Sequence, residues 1–304
     1  MALGEISHDC RRRLATHYGE AAGAWLARIP ALMEDAADRW GLSLLGYHDA
    51  GHASVGVTAT DSWGRAIFLK AWTDPARYRH EVAALRHWRG DLATKVVEAA
   101  DDLAVAALEM VGGRPGGADR PAVEQALVAQ ALDDLHAIDA CNPPVGIPRL
   151  SDYIRHELTP RIRRRLHTVQ LAQWMPVAHA GLRALDDILR VPGRETVLHG
   201  DLYRENVLFA DRRSPVFVDP LPMLGPAAFD WAFWVVYYEA GSGIEQRLEL
   251  AVQVSGLSER DIHRWCSLLF LDGLLYYLEI SDPRAVQFGK TAAAFAVRCE
   301  ANRP

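Results

Sequence analysis

The sequence is poor in cysteine, and it has no long hydrophobic run. Its 304 residues include four cysteines, Cys10, Cys141, Cys266 and Cys299, which are far apart and form no CxxC pair. This spacing argues against a disulfide framework or a zinc site, and it favours a reducing cytoplasm. No stretch reaches the roughly 18 uninterrupted apolar residues of a membrane span. The first residues carry no apolar signal core, so we expect no secretory peptide and no membrane partner.

Lysine is also scarce, since only three of the 33 basic residues are lysines and the rest are arginines. A lysine kept in such a chain is a candidate for a position that a planar guanidinium would not fill. The net charge of −6 argues against a nucleic-acid partner and suits a cationic one. The composition, half hydrophobic and 24% charged, excludes disorder for most of the chain and is typical of a globular enzyme. We expect a monomer.

The first third of the chain alternates between helical and strand-like patterns. Residues 4–45 place apolar side chains at helical spacing with few breakers, which predicts helix. The following segment is rich in small residues and then apolar, and Asp61–Gly64 reads as the turn of a β-hairpin. Residues 76–89 return to helical periodicity, whereas the apolar run 103–110 fits either a strand or a helix.

Glycine and proline cluster at residues 111–118, which indicates a boundary in the chain. We therefore predict two lobes in an α+β protein. The smaller lobe, residues 1–111, would hold an antiparallel sheet behind an N-terminal helical extension. The larger lobe, residues 112–304, would be mainly helical.

Within the second lobe, three segments have a distinct character. Two short apolar strands, Val207–Phe209 and Val216–Val218, flank a turn at Asp211–Ser214, and residues 229–296 are apolar and helical. The segment Arg155–Arg165 is rich in arginine. It is predicted to be a solvated helix face, and the alternative is a patch that meets a phosphate or a partner.

The strongest chemical signal is the segment His199–Asn206, HGDLYREN, which is followed by Asp219 after the predicted hairpin. Phosphoryl transfer from a nucleotide needs one carboxylate that accepts a proton from the acceptor hydroxyl. It also needs oxygen ligands for Mg²⁺, which an amide and a second carboxylate provide. Asp201, Asn206 and Asp219 have this order, and the hairpin would bring them together.

A lysine and a glutamate in the first lobe support the same chemistry. Lys70 ends a predicted strand, and Glu81 lies eleven residues later on the next predicted helix. A strand lysine held by a helix glutamate is the arrangement that binds the phosphates of a nucleotide in kinases. Alone, such a pair would be read as a surface salt bridge.

The segment HGDLYRENVLF matches the pattern HGDxxxxNxLF closely, and on this motif the chain resembles the aminoglycoside phosphotransferase and choline kinase group. Asp219-Pro220 and the later Asp230 resemble that group's following segment, in which an aspartate on the next helix supports the catalytic loop. Within the group, VDPLPMLGPAAFD is most similar to the streptomycin 6-phosphotransferase branch.

The resemblance implies a bilobal protein-kinase-like fold and a Mg²⁺-dependent transfer from ATP or GTP. It implies that Asp201 is the catalytic base and that Asn206 and Asp219 bind Mg²⁺. The residues that it assigns to the nucleotide are Lys70, Glu81 and Ser54, together with Glu109 and Val111 of a hinge segment that includes Met110.

Two features depart from protein kinases. The phosphate-covering loop, residues 51–56, is not GxGxxG, and only Ser54 and nearby amides would contact phosphate. Asp219 is followed by Pro220 instead of Phe-Gly, so the switch of regulated kinases is absent.

The acceptor pocket is expected on the C-terminal helices, where carboxylates accompany aromatic residues. Such a surface suits a polycationic sugar or a guanidinium compound, although a solvated acidic face with core aromatics is the alternative. The candidates are Trp231, Tyr237, Tyr238, Glu239, Asp272, Tyr276 and Glu279.

These observations predict an O-phosphotransferase that acts on a small cationic antibiotic, with a streptomycin-like aminoglycoside as the first candidate. One alternative is a metabolite or antibiotic-biosynthetic kinase with the same fold. The other is a nucleotide-binding module without catalysis, against which the intact Asp201, Asn206, Asp219 and Lys70 argue.

Overall fold

A computed structural model describes residues 3–49, 53–88, 92–117, 121–138, 142–190, 195–209 and 215–301. The chain divides into two compact units, Met1–Gly112 and Gly113–Pro304. Among the described residues, no helix is both long enough and apolar enough to cross a membrane.

The helices are α1 His8–Tyr18, α2 Ala21–Trp40, α3 Pro75–Trp88, α4 Pro121–Ala137, α5 Leu150–Tyr153, α6 Thr159–Thr168, α7 Met175–Ile188, α8 Ala228–Tyr237, α9 Ile244–Ser255, α10 Glu259–Glu279 and α11 Arg284–Ala301. The strands are β1 Ser43–His48, β2 Ser54–Thr60, β3 Ala66–Trp72, β4 Val96–Ala100, β5 Val105–Glu109, β6 Arg114–Pro115, β7 Glu195–Leu198, β8 Val207–Phe209, β9 Val216–Phe217 and β10 Met223–Pro226.

The first unit contains a five-stranded antiparallel sheet in the order β1-β2-β3-β5-β4. The predicted hairpin is present, because the backbone N–H of Asp61 donates to the carbonyl of Arg65 where β2 turns into β3. The apolar run 103–110, which the sequence left open, contains strand β5. The predicted helical stretch 4–45 ends earlier than expected, because Gly41 adopts a left-handed conformation at φ 62° and caps α2.

Helices α1 and α2 contribute to one hydrophobic core with the sheet. Leu14 of α1 and Ile29 and Met33 of α2 have no exposed surface, and they belong to the same cluster as Val57 of β2 and Leu69 of β3. Burial of this apolar face is the main stabilising contribution to the first unit. It also fixes the position of β3, which carries Lys70 directly after the buried Leu69.

The second unit is mainly helical, with small antiparallel sheets formed by β7 with β10 and by β6, β8 and β9. The two predicted strands are present as β8 and β9, and the predicted turn Asp211–Ser214 lies outside the described residues. Helix α8 is buried along its whole length, as expected for a helix that is apolar on every face. An antiparallel sheet in the first unit and a mainly helical second unit confirm the predicted α+β class.

The arginine-rich segment differs from the predicted solvated face. It lies in a continuous helical stretch in which a π-helical turn, Ile154–Leu158, connects α5 to α6. Arg161, Arg164 and Arg165 of α6 all form ion pairs with carboxylates of α10. The side chains lie three and four residues apart, so they share one face of α6, and that face packs on α10.

Candidate active site

In the first unit, Lys70 and Glu81 form a buried ion pair. Lys70 Nζ lies 2.6 Å from Glu81 Oε1, and the two residues are each 4% exposed. The second carboxylate oxygen accepts a hydrogen bond of 2.7 Å from the indole N–H of Trp72. Both oxygens of Glu81 are therefore used within the unit, and the carboxylate is held in one orientation toward Lys70.

We expect Glu81→Gln to lower the free energy of unfolding by about 3 kcal/mol, because it leaves the Lys70 ammonium buried without its countercharge. Urea denaturation measures this effect. Asp35→Asn is the matched control, since Asp35 pairs with Arg39 at the surface and such pairs contribute at most about 1 kcal/mol. Equal losses for the two variants would contradict the burial argument.

In the second unit, the motif residues form a short loop between β7 and β8. The Asn206 side-chain N–H₂ donates to the backbone carbonyl of Asp201 and to its Oδ2, each at 2.8 Å. These hydrogen bonds use the amide nitrogen of Asn206. Its amide oxygen remains as the side-chain atom that can bind a cation. The five-residue spacing therefore produces the proximity that the sequence predicts.

Gly200 is the glycine that this loop requires. Its φ of 75° is in the left-handed region, and a Cβ atom there would lie 2.1 Å from the carbonyl oxygen of Leu221. Only glycine fits both constraints.

Asp230 of α8 fixes the start of the loop that carries Asp201. It has no exposed surface and accepts hydrogen bonds from the backbone N–H groups of His199, at 2.7 Å, and Gly200, at 2.9 Å. His136 Nε2 lies 2.9 Å from Asp230 Oδ2, the oxygen that also accepts from the His199 N–H. His136, on α4, was not a sequence candidate, because a lone histidine 94 positions from Asp230 has no local pattern.

The His199 ring connects this loop to the segment before Asp219. Burial lowers the pKa of His199 to about 4, so the imidazole is neutral at pH 7. Its Nε2 lies 3.1 Å from the carbonyl of Val218, and its Nδ1 accepts from the backbone N–H of Asp201. The two contacts fit a single neutral tautomer with the proton on Nε2.

Asp219 adopts an unusual backbone conformation next to Asn206. Its φ is 55°, a strained value for a residue other than glycine. The backbone N–H of Val218 donates to the carbonyl of Asn206, which sets Asp219 beside that residue. The side chain of Asp219 is exposed and that of Asn206 is half-buried. An amide oxygen and a carboxylate are hard ligands that fit Mg²⁺, which usually takes few protein ligands and completes its shell with water and phosphate.

The remaining nucleotide candidates belong to the first sheet. Ser54 is 5% exposed at the start of β2. The backbone N–H of Glu109 donates to the carbonyl of Lys95 and its carbonyl accepts from the Thr94 hydroxyl, so both backbone polar groups of Glu109 have partners within the first unit. Val111 follows as a half-buried residue. Gly51 and His52 of the predicted phosphate loop lie outside the described residues.

Asp201 lies at a cavity of about 180 Å³ within the second unit. An aromatic wall of Tyr203, Phe233 and Tyr237 borders it, with ring centroids 4.8 to 5.6 Å apart. Burial raises the pKa of Tyr237 well above its usual value, so its phenol is neutral. The cavity is also lined by Tyr153, Leu158, Arg161, Gly200, Leu221, Met223, Phe229, Leu269 and Asp272.

The structure brings only some of the acceptor candidates to this cavity. Tyr237 and Asp272 line it, and Glu279 lines a different one. Glu239 lies 3.9 Å from Arg247 and does not line the cavity at Asp201. Trp231 is 1% exposed in the core of α8, so it has no surface for an acceptor in this structure.

The other two tyrosine candidates, Tyr238 and Tyr276, lie elsewhere in the second unit. The hydroxyl of Tyr238 donates to Glu124 in the interior, and Tyr276 is 45% exposed with Arg165 over its ring. Neither lines the cavity at Asp201. Helical spacing in the sequence does not distinguish a pocket-lining aromatic residue from a core one, which is why these candidates separate only in the structure.

Solved structures share this fold. Aminoglycoside phosphotransferase APH(4)-Ia, in a thermostable variant with AMP-PNP and hygromycin B, superposes with a TM-score of 0.63 at 18% identity over 89% of this chain and 99% of that one. The macrolide 2'-phosphotransferase MphH from Brachybacterium faecium gives 0.58 at 21% identity over 90% and 98%. At these identities the likeness shows the fold.

Characterised relatives are similar over most of their length. A streptomycin 6-kinase from Streptomyces glaucescens is 24% identical over 93% of this chain and 95% of its own. A hydroxyurea phosphotransferase from Kitasatospora aureofaciens is 25% identical over 82% of this chain and 73% of its own. The sequence profile of the aminoglycoside/hydroxyurea antibiotic resistance kinases matches residues 39–271. The chain is a small-molecule kinase and belongs to this family.

Proposed function

We propose that the protein transfers the γ-phosphoryl group of ATP, with Mg²⁺, to a hydroxyl group of a small antibiotic and so inactivates it. The observation that carries this proposal is the position of Asp201, which is hydrogen-bonded to Asn206 and lines a cavity with aromatic walls. A base beside a cavity of this kind can receive the proton of a hydroxyl bound there. The bound AMP-PNP and ADP of the structural relatives favour ATP over GTP.

Each part of the proposed chemistry has a candidate residue in this chain. Asp201 orients the acceptor hydroxyl and accepts its proton, and the Asn206 amide holds the Asp201 carboxylate in place. Lys70, fixed by Glu81, binds phosphate oxygens of ATP. Ser54 and the backbone near Val111 are assigned to the phosphates and the adenine. Mg²⁺, held by Asn206 and Asp219, would neutralise charge on the transferring phosphoryl group.

Asp219→Ala is expected to weaken binding of Mg-ATP at least tenfold while binding of Mg²⁺-free ATP changes little, because the carboxylate contacts the nucleotide only through the ion. Calorimetric titration with and without Mg²⁺ measures both affinities. Asp282→Asn serves as the control, because the Asp282 carboxylate pairs with Arg284 and does not line the cavity at Asp201. Unchanged Mg-ATP affinity in Asp219→Ala would remove Asp219 from the metal site.

The relatives indicate which acceptors to test. The streptomycin 6-kinases make streptomycin the first compound to test, and the hydroxyurea phosphotransferase makes hydroxyurea the second. A panel of both compounds, hygromycin B, a macrolide and common amino alcohols, assayed for acceptor-dependent ADP release by the purified protein, tests the proposal. Turnover of an amino alcohol alone would favour a metabolite kinase. We place this activity in the cytoplasm, in a monomer.

A further inference from the structure

The polar end of the Asp201 cavity is formed by an arginine held by a carboxylate. Arg161 and Asp272 both line the cavity, with side chains 29% and 14% exposed. Arg161 donates through Nε at 3.1 Å and through Nη2 at 2.9 Å to the two oxygens of Asp272. Nη2 also donates to the hydroxyl of Tyr153 at 3.0 Å. The guanidinium is therefore fixed on one edge, in a planar two-bond arrangement.

Both carboxylates of α10 that the sequence proposes for a cationic acceptor are paired with arginines. Asp272 accepts a third hydrogen bond, of 3.0 Å, from Arg165 Nη1. Glu279 is bound by Arg165 and Arg164. Three guanidinium groups thus face two carboxylates along α6 and α10, and an ammonium group arriving at Asp272 would meet a net positive charge.

The opposite edge of the Arg161 guanidinium carries N–H groups that could donate hydrogen bonds to the acceptor substrate. Its Nη1 makes no hydrogen bond to any residue in the part of the chain that the structure describes, and the side chain reaches the cavity. A guanidinium always carries these N–H donors, since it does not lose its proton in proteins. Of the residues that line the cavity, Arg161 carries the positively charged donors, so it can select a ligand by its oxygen atoms.

We propose that Arg161 is a specificity-determining residue of the acceptor site, where its Nη1 donates to an oxygen of the acceptor, with Asp272 and Tyr153 as positioning residues. The site would take a compact hydroxylated compound that presents a carbonyl-type oxygen to Arg161 and an uncharged face to Tyr203 and Phe233. It would disfavour an ammonium or guanidinium group at this point. This inference rests on the proposed function, since it names the acceptor class of the same site.

The test is the direction in which KM changes when Arg161 is neutralised. Arg161→Gln should raise KM for the best acceptor of the panel at least tenfold, with KM for ATP unchanged and kcat altered less than KM, because a charged hydrogen bond to the bound acceptor is lost. If Asp272 instead held a cation, the same variant would release that carboxylate, and KM would fall.

Arg164→Gln is the matched control, because Arg164 lies on the same helix and pairs with Glu279 away from the cavity. Its KM values should stay within about twofold of the parent. Arg161→Lys covers the case in which Arg161→Gln does not fold. A lysine can pair with Asp272 but lacks the second donor edge, so KM should again rise.

The outcomes distinguish a failure of the role of Arg161 from a failure of the proposed function. Acceptor-dependent turnover with an unchanged or lower KM in both Arg161 variants overturns the role of Arg161 and leaves the kinase function intact. The same conclusion follows if KM of the parent rises steeply with salt for a polycation such as streptomycin, as ion pairing would require. Absence of turnover with every compound of the panel overturns the proposed function, and the inference with it.

Discussion

Replacing Asp201 by asparagine should lower kcat for acceptor phosphorylation between about a hundredfold and ten-thousandfold, the usual contribution of a general base. The amide cannot accept the proton of the hydroxyl. The loop should keep its shape, because an asparagine oxygen can still accept from the Asn206 side chain, which also bonds the backbone carbonyl of residue 201. Affinity for ATP should therefore stay close to that of the parent.

Steady-state kinetics with the best acceptor, together with calorimetric titration of ATP, separates these effects. Glu205→Gln is the matched control, because Glu205 lies on the same loop and its carboxylate pairs with Arg204 at the surface. It should change kcat less than about threefold. A kcat in Asp201→Asn within a few-fold of the parent would exclude Asp201 as the base.

The second large effect is expected for Asp230→Ala, with a loss of about 4 kcal/mol in the free energy of unfolding. The substitution leaves the buried backbone N–H groups of His199 and Gly200 without their acceptor, and it removes the partner of His136. Each buried donor left unsatisfied costs about 1–3 kcal/mol. Because these bonds set the position of the loop that carries Asp201, kcat should fall in any fraction that still folds.

Urea denaturation and activity of the soluble fraction measure the two consequences. Asp230→Asn keeps one oxygen acceptor and should lie between the parent and the alanine variant. Asp134→Ala on α4 is the control, since Asp134 is exposed and accepts a hydrogen bond from the side chain of Gln130. If Asp230→Ala were no less stable than Asp134→Ala, the aspartate would not support the loop.

The parts of the site that the sequence predicted are those set by short spacings. Asp201 and Asn206 are five residues apart, and the loop between them is too short to hold them far from each other. Lys70 and Glu81 are eleven residues apart on a strand and the next helix, so their pairing follows once β3 and α3 are recognised. The roles of these residues are still predictions, for which the variants above are the tests.

The parts that the sequence did not predict depend on contacts over long separations. Arg161 and Asp272 are 111 positions apart, and each alone resembles a surface charge on an amphipathic helix. The sequence predicts an acidic acceptor surface because it shows the carboxylates but not their partners. In the structure, Asp272 and Glu279 form ion pairs with arginines. Trp231 was predicted to line the acceptor pocket because aromatic residues occur both in pockets and in protein cores. Helix α8 is apolar on all faces and buries Trp231.

The burial of Lys70 has a practical consequence for chemical labelling. Amine-directed reagents need an accessible, deprotonated lysine, and Lys70 is 4% exposed and hydrogen-bonded as an ammonium to Glu81. The other two lysines, Lys95 and Lys290, are exposed. A fluorophore or a surface linker coupled through lysine would therefore attach at two defined positions, and the residue assigned to the phosphates of ATP would stay unmodified.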